Sequence, residues 1–312
     1  MSTILLAIVP ILCIIALGYC CRRFNVFNDG FLDGLSRLTF TVFIPCLLFT
    51  SIYNSEDLSS ISSNLLLSFY IPVIGWYVLS YIYFRAVFKA SFRKTELLSL
   101  AATFSNNVLI GIPVLLTLIG DSVLLPGFVI VSIHSLILFT LTSLFAENQE
   151  ADKKWYRSLA TSIWITTRSP IVISLLLGLS AKLLALPLHS IVQHTLDYLK
   201  GAALPCALIV LGATLARYKS THQLPLSISV NTIKLLLLPL AVYCCGQYWF
   251  NLSPTLIAVT VIMSASPVGI NVFMFAAQDP KSSPYLASAI LNSTLVAIAT
   301  IPAWIYFLDL AP

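Results

Sequence analysis

Charge is what this sequence has least of. Lys, Arg, Asp and Glu make up 9% of its 312 residues, against 58% hydrophobic residues, where soluble domains average roughly 25% charged. That scarcity, with a mean hydropathy of +0.94, excludes a soluble domain and points to a polytopic membrane protein. Acidic groups are scarcer than basic ones, twelve against seventeen. All of them, from Asp29 to Asp309, fall in predicted loops or within about two turns of a segment end. Cation and proton antiporters usually need a carboxylate at membrane depth, so a cation substrate is disfavoured. The seven cysteines form no CxxC pair or Cys/His cluster, which argues against a metal site or a disulfide framework. They read as small apolar residues. The four histidines (134, 189, 194 and 222) are ungrouped, and no HExxH helix or partnered nucleophile occurs. An enzyme is therefore not expected, and neither is a cofactor.

What the chain does contain is a succession of apolar segments long enough to span a bilayer. Ten are predicted, at about 3–21, 35–53, 64–84, 96–119, 123–145, 168–186, 194–216, 226–249, 254–277 and 283–308. The first has no basic residue before it and Arg22-Arg23 after it, unlike a cleaved signal peptide. With the N-terminus outside, fifteen of the seventeen basic residues fall on the cytoplasmic side, leaving only Lys182 and Lys200 outside. Lys/Arg bias fixes orientation, so both termini are expected on the non-cytoplasmic side of the cell (inner) membrane. Lys234 is expected to snorkel to the cytoplasmic face. Trp155, Trp249 and Trp304 are expected as interfacial anchors, and Lys200 as an i,i+3 partner of Asp197.

The polar run 147–157 divides the chain into two similar halves. Pro10, Gly18 and Pro45-Cys46 match Pro170, Gly178 and Pro205-Cys206 at an offset of 160. Gly111-Ile112, Asp121 and His134-Ser135 match Gly269-Ile270, Asp279 and Asn292-Ser293 at 158. Five segments per half means that the second half is inverted in the membrane, the arrangement of many secondary transporters. The expected organisation is a first repeat over 1–146, a cytoplasmic linker over 147–158 and an inverted second repeat over 159–312.

Segments four and nine carry matching interruptions. "SNNVLIGIPVLLTLIGD" (105–121) holds Asn106, Asn107, Gly111 and Pro113, and "SASPVGINVFMFAAQD" (264–279) holds Ser264, Ser266, Pro267, Gly269 and Asn271. Irregular backbone at membrane depth survives only against protein or a water-filled cavity, and paired broken helices mark a substrate site. These nine residues are the candidate substrate-binding set. Half-helix N-termini near Pro113 and Asn271 would suit a carboxylate. Asn106 is assigned to the substrate, with Asn271 contributing from the opposite repeat. Asn107, about 100° away around a helix, is assigned to bracing the broken backbone. His134, the sole ionisable residue expected near a segment centre, is either an interhelical polar contact or a proton-coupling group.

At these residues the chain resembles the auxin efflux carrier family, which includes the plant PIN auxin carriers and bacterial malate/malonate permease-like proteins. The resemblance lies in "NNVLIGIPVLLTLIG", "SPVGINVFMFAAQ", "ATIPAWIYFLDL", "IKLLLLPLA" and "LPCALIVLGATLA", and it covers nearly the whole chain. It implies an all-α fold of ten transmembrane helices in two inverted five-helix repeats, similar to the bile-acid sodium symporters. Helices four and nine would cross beside the substrate. The family's crossover asparagine falls on Asn106 and its crossover proline on Pro113; Asn271 is similar to the bacterial members. The long central loop of the plant carriers is replaced by the short run 147–157. The resemblance implies transport of a small organic anion, a mono- or dicarboxylate that is malate-, malonate- or auxin-like. Two alternatives stay open: a sodium-coupled symporter of the bile-acid type, and a non-transporting sensor on the same scaffold. Expected partners are the organic anion, the lipid bilayer and a coupling proton or sodium ion, with no nucleic acid; a homodimer is left open.

Overall fold

The computed structural model describes residues 2–55, 62–146, 163–164, 167–217, 224–272 and 283–310. The linker expected at 147–158 and Trp155 lie outside them. The regular elements among the described residues are all helices, six of them long and apolar enough to cross a membrane, with shorter apolar ones between them. In chain order they are α1 (Ser2–Arg23), α2 (Asp29–Tyr53), α3 (Ser63–Val87), α4 (Phe92–Thr103), α5 (Asn107–Ile119) and α6 (Leu124–Ala146). Then come α7 (Pro170–Leu183), α8 (Ser190–Leu215), α9 (Leu224–Trp249), α10 (Pro254–Ala265) and α11 (Ser283–Phe307). Such helices satisfy their own backbone groups, which lipid cannot do. Their ends are locally encoded: Asn28 Oδ1 accepts from Phe31 N at 2.8 Å to cap α2, and Ser62 Oγ accepts from Leu65 N at 3.2 Å to cap α3.

Three of the helical prolines are absorbed by π turns. Pro45, Pro113 and Pro239 each follow a π turn, at Thr39–Phe43, Asn107–Gly111 and Ile233–Leu237 respectively. Proline lacks an N–H and its ring clashes with the carbonyl four residues back. The wider turn shifts the preceding N–H one residue further: Ile44 N bonds Thr39 O, Ile112 N bonds Asn107 O and Leu238 N bonds Ile233 O. Pro113 is therefore not the point of interruption that the sequence suggested. The chain breaks about two turns earlier, between Thr103 and Asn107.

The helices form two packed groups. In one, α1 lies on α8, α2 lies on α7, and α8 also touches α2. In the other, α3, α4, α6, α9, α10 and α11 pack around the breaks. Glycine makes the first group close. A Cβ on Gly18 would collide with the Ile209 carbonyl, one on Gly212 with the Ile15 carbonyl, and one on Gly178 would come within 2.9 Å of the Phe49 carbonyl. Small residues are the usual means by which membrane helices approach. Outward faces carry large apolar side chains such as Leu17, Leu79, Leu177 and Leu183, as lipid contact requires. Trp249 is exposed, but Trp304 is buried and donates Nε1–H to the Leu235 carbonyl at 2.8 Å. Trp304 is thus an interhelical tie rather than an interfacial anchor. Lys200 and Asp197 form the expected i,i+3 pair at 3.0 Å.

Candidate substrate site at the helix breaks

Two interruptions meet in the second group. After α4, Phe104 is extended (φ −79°, ψ 114°) and Asn106 takes φ −82°, ψ 62°. After α10, Ser266 is extended (φ −60°, ψ 143°), as expected of a residue before proline. Ser105 and Val268 then form an antiparallel bridge. Asn106 N donates to the Pro267 carbonyl at 2.8 Å, and Gly269 N donates to the Phe104 carbonyl at 2.9 Å. The two N–H groups facing outward from the bridge are also met: Ser105 N donates to His134 Nε2 at 3.1 Å and Val268 N to Ser293 Oγ at 3.0 Å. The broken backbone is thus satisfied by protein, as membrane depth demands.

Of the nine predicted substrate residues, the structure brings most together. Asn106, Asn107, Gly111, Pro113, Ser264, Ser266, Pro267 and Gly269 are all buried on the two broken segments. A Cβ on Gly111 would lie 2.9 Å from Ser266 Oγ and 3.5 Å from Asn107 Oδ1. Gly269 has no room for a side chain either, with Phe104 Cδ1 at 2.5 Å and the Ser105 carbonyl at 3.1 Å from its virtual Cβ. Asn271 differs. It is exposed, on the 3₁₀ turn Ile270–Val272, with no hydrogen bond among the described residues.

Asn107 does not brace the backbone. Both atoms of its amide lack a partner, as does Asn106 Nδ2, although the two residues are 3% and 6% exposed. Bracing falls instead to His134, Ser293 and a residue that sequence reasoning misplaced, Lys234. Far from snorkelling, Lys234 is fully buried, donating to Ser105 Oγ at 2.8 Å and to the Ser264 carbonyl. Its position about two turns inside the predicted segment was the available signal. His134 is consequently not the sole ionisable group near a segment centre.

His134 sits against Phe104, Phe69 and Tyr70, with ring centroids 4.9, 5.7 and 6.1 Å away. In this ring orientation Nε2 accepts from Ser105 N, so the neutral proton resides on Nδ1, which has no partner. A doubly protonated ring could only donate and would give up the Ser105 contact. His134→Asn, which keeps an acceptor, is expected to retain transport with its pH dependence unchanged. His134→Phe leaves a buried N–H unmet, at a cost of about 1–3 kcal/mol, read as a lower melting temperature. A folded His134→Asn that loses pH-driven flux would restore the proton-coupling role.

Comparison with known proteins covers nearly the whole chain. The family model described as "Membrane transport protein" matches residues 3–305. The chain belongs to this family, that of the auxin efflux carriers. Its relatives are transporters, not enzymes. It is 26% identical to an "Uncharacterized transporter" of Methanothermobacter thermautotrophicus over 95% of this chain and 96% of that one. It is 24% identical to "Uncharacterized transporter YfdV" of Escherichia coli strain K12, covering 96% of both. A "Putative malonate transporter" of Rhizobium meliloti shares 29% identity over 45% of this chain and 43% of its own. The protein is therefore a multi-pass membrane transporter.

Proposed function

We propose that this transporter is a secondary carrier of a small organic anion, a mono- or dicarboxylate, working by alternating access around the crossing of its two broken helices. The observation that carries this reading is the set of three unpartnered amide atoms on buried Asn106 and Asn107. Buried polar atoms are rarely left unmet, and these adjoin the first turn of α5, whose N–H groups have no partner within the helix. Amide donors beside a helix N-terminus suit a carboxylate. The malonate relative's name agrees with that chemistry. Two inverted five-helix repeats, 1–146 and 159–312, are supported by the packing of α1 on α8 and of α2 on α7, which exchange under such a symmetry. Placement in the cell (inner) membrane with both termini outside rests on the basic-residue bias; a cysteine probe in 147–157 is expected to react only from the cytoplasmic side.

Uptake into proteoliposomes over a panel of mono- and dicarboxylates, with sodium and pH gradients varied separately, tests the function. Net flux of at least one carboxylate is expected. Saturable binding without flux would identify a sensor, and flux of cations alone would remove the anion assignment.

A further inference from the structure

Lys234 braces the breaks beside the anion site just described, and its surroundings are unusual. It lies in the π turn Ile233–Leu237 of α9, fully buried, and none of the ion pairs among the described residues includes it. A buried ammonium without a counter-charge is costly unless polar groups replace its water. The two half-helices supply those groups from their C-terminal ends. Nζ donates to the Ser264 carbonyl in the last turn of α10 and to Ser105 Oγ just past the end of α4.

The Ser264 carbonyl is open for a specific reason. In an unbroken helix it would accept from Val268 N, but that N–H is turned to Ser293 Oγ at 3.0 Å. Carbonyls at a helix C-terminus carry partial negative charge, and the end of α10 offers one of these to Nζ while the chain just past α4 offers a hydroxyl. The π turn that presents Lys234 packs on α4, α10 and α11, whereas α1 touches α5 and α11 and α8 touches α5.

Unwound carbonyls and the C-terminal ends of half-helices, with hydroxyl oxygens, are what transporters use to hold an alkali cation. We propose that the Lys234 ammonium is a tethered cation, filling the place where such an ion would otherwise be coordinated. The cation at the crossing is thereby supplied by the chain itself, and the carrier runs without sodium. This assignment concerns the ion alone and stands or falls independently of which anion is carried.

The test uses the purified, anion-free full chain, melted in sodium, lithium, potassium or choline chloride at equal ionic strength. Wild type is expected to melt at the same temperature in all four. Lys234→Ala, with carbonyl and hydroxyl left open, is expected to melt lower in choline by on the order of 5 °C. It should recover part of that in sodium or lithium, because an ion that binds only the folded state raises its stability. Lys234→Met, whose side chain fills the space, should melt lower in every salt without recovery. Sodium-specific stabilisation of wild type overturns the proposal, as does a Lys234→Ala protein indifferent to every cation. Should Lys234→Ala not survive purification, Lys234→Arg and Lys234→Met decide. Survival of the arginine variant above the methionine one supports a required charge; an arginine variant no better than methionine overturns it.

Discussion

Asn106→Ala is expected to weaken binding of the carried anion by about 10- to 150-fold while leaving the protein folded. That range corresponds to loss of one hydrogen bond to a charged partner, roughly 1.5–3 kcal/mol. The fold should survive because the residue's structural contact is its backbone N–H to the Pro267 carbonyl, at 2.8 Å, which alanine retains. Its side-chain Nδ2 has no protein partner to lose. Asn107→Ala removes two more unpartnered amide atoms and is expected to act in the same direction. Asn271→Ala should cost less, since an exposed amide exchanges one partner for water. Calorimetry on wild type and variants, with whichever carboxylate the uptake panel identifies, gives the answer. Unchanged affinity in all three variants would place the site elsewhere and reduce these asparagines to packing.

Gly212→Ala should lower the melting temperature by several degrees without touching the anion site. A Cβ there collides with the Ile15 carbonyl and comes within 2.9 Å of Tyr19 N. Both are backbone atoms of α1, so no side chain can rotate aside and the helices must separate. Overpacking of this kind costs about 1–3 kcal/mol, occasionally more, and Gly18 of α1 lies equally close to the Ile209 backbone of α8. Gly75→Ala is the control. Nothing lies within 4 Å of its virtual Cβ, and alanine is the better helix former by up to about 1 kcal/mol. That variant should melt no lower than wild type. Equal melting of the two variants in differential scanning fluorimetry would show that the tight α1–α8 crossing does not govern stability.

Much of this is legible in the amino-acid sequence alone. Scarce charge and long apolar segments determined that it is a membrane protein, because lipid solvates no charged or unpaired polar group. Proline, glycine and asparagine in segments four and nine marked the irregular stretches. At Pro267 the mark was literal, since the residue before a proline is driven out of the helical region and the break follows at once. The motif in segment four was less direct. Pro113 is absorbed by a π turn, and the break falls at Phe104–Asn106, where no residue forbids a helix. What opens the chain there is a set of partners distant in sequence: the Pro267 carbonyl, Gly269 N, His134 and Lys234. A hydrogen bond across the crossing depends on where two segments meet, and neither segment encodes that alone. Offset matching paired Gly111 with Gly269, whereas the crossing sets Asn106 N and Gly269 N in equivalent roles. The same holds for Lys234. Sequence gives a lysine inside an apolar segment, whose flexible stem would reach water from either end. Only the packed structure turns it inward, because two helix ends with open carbonyl and hydroxyl oxygens lie closer than solvent.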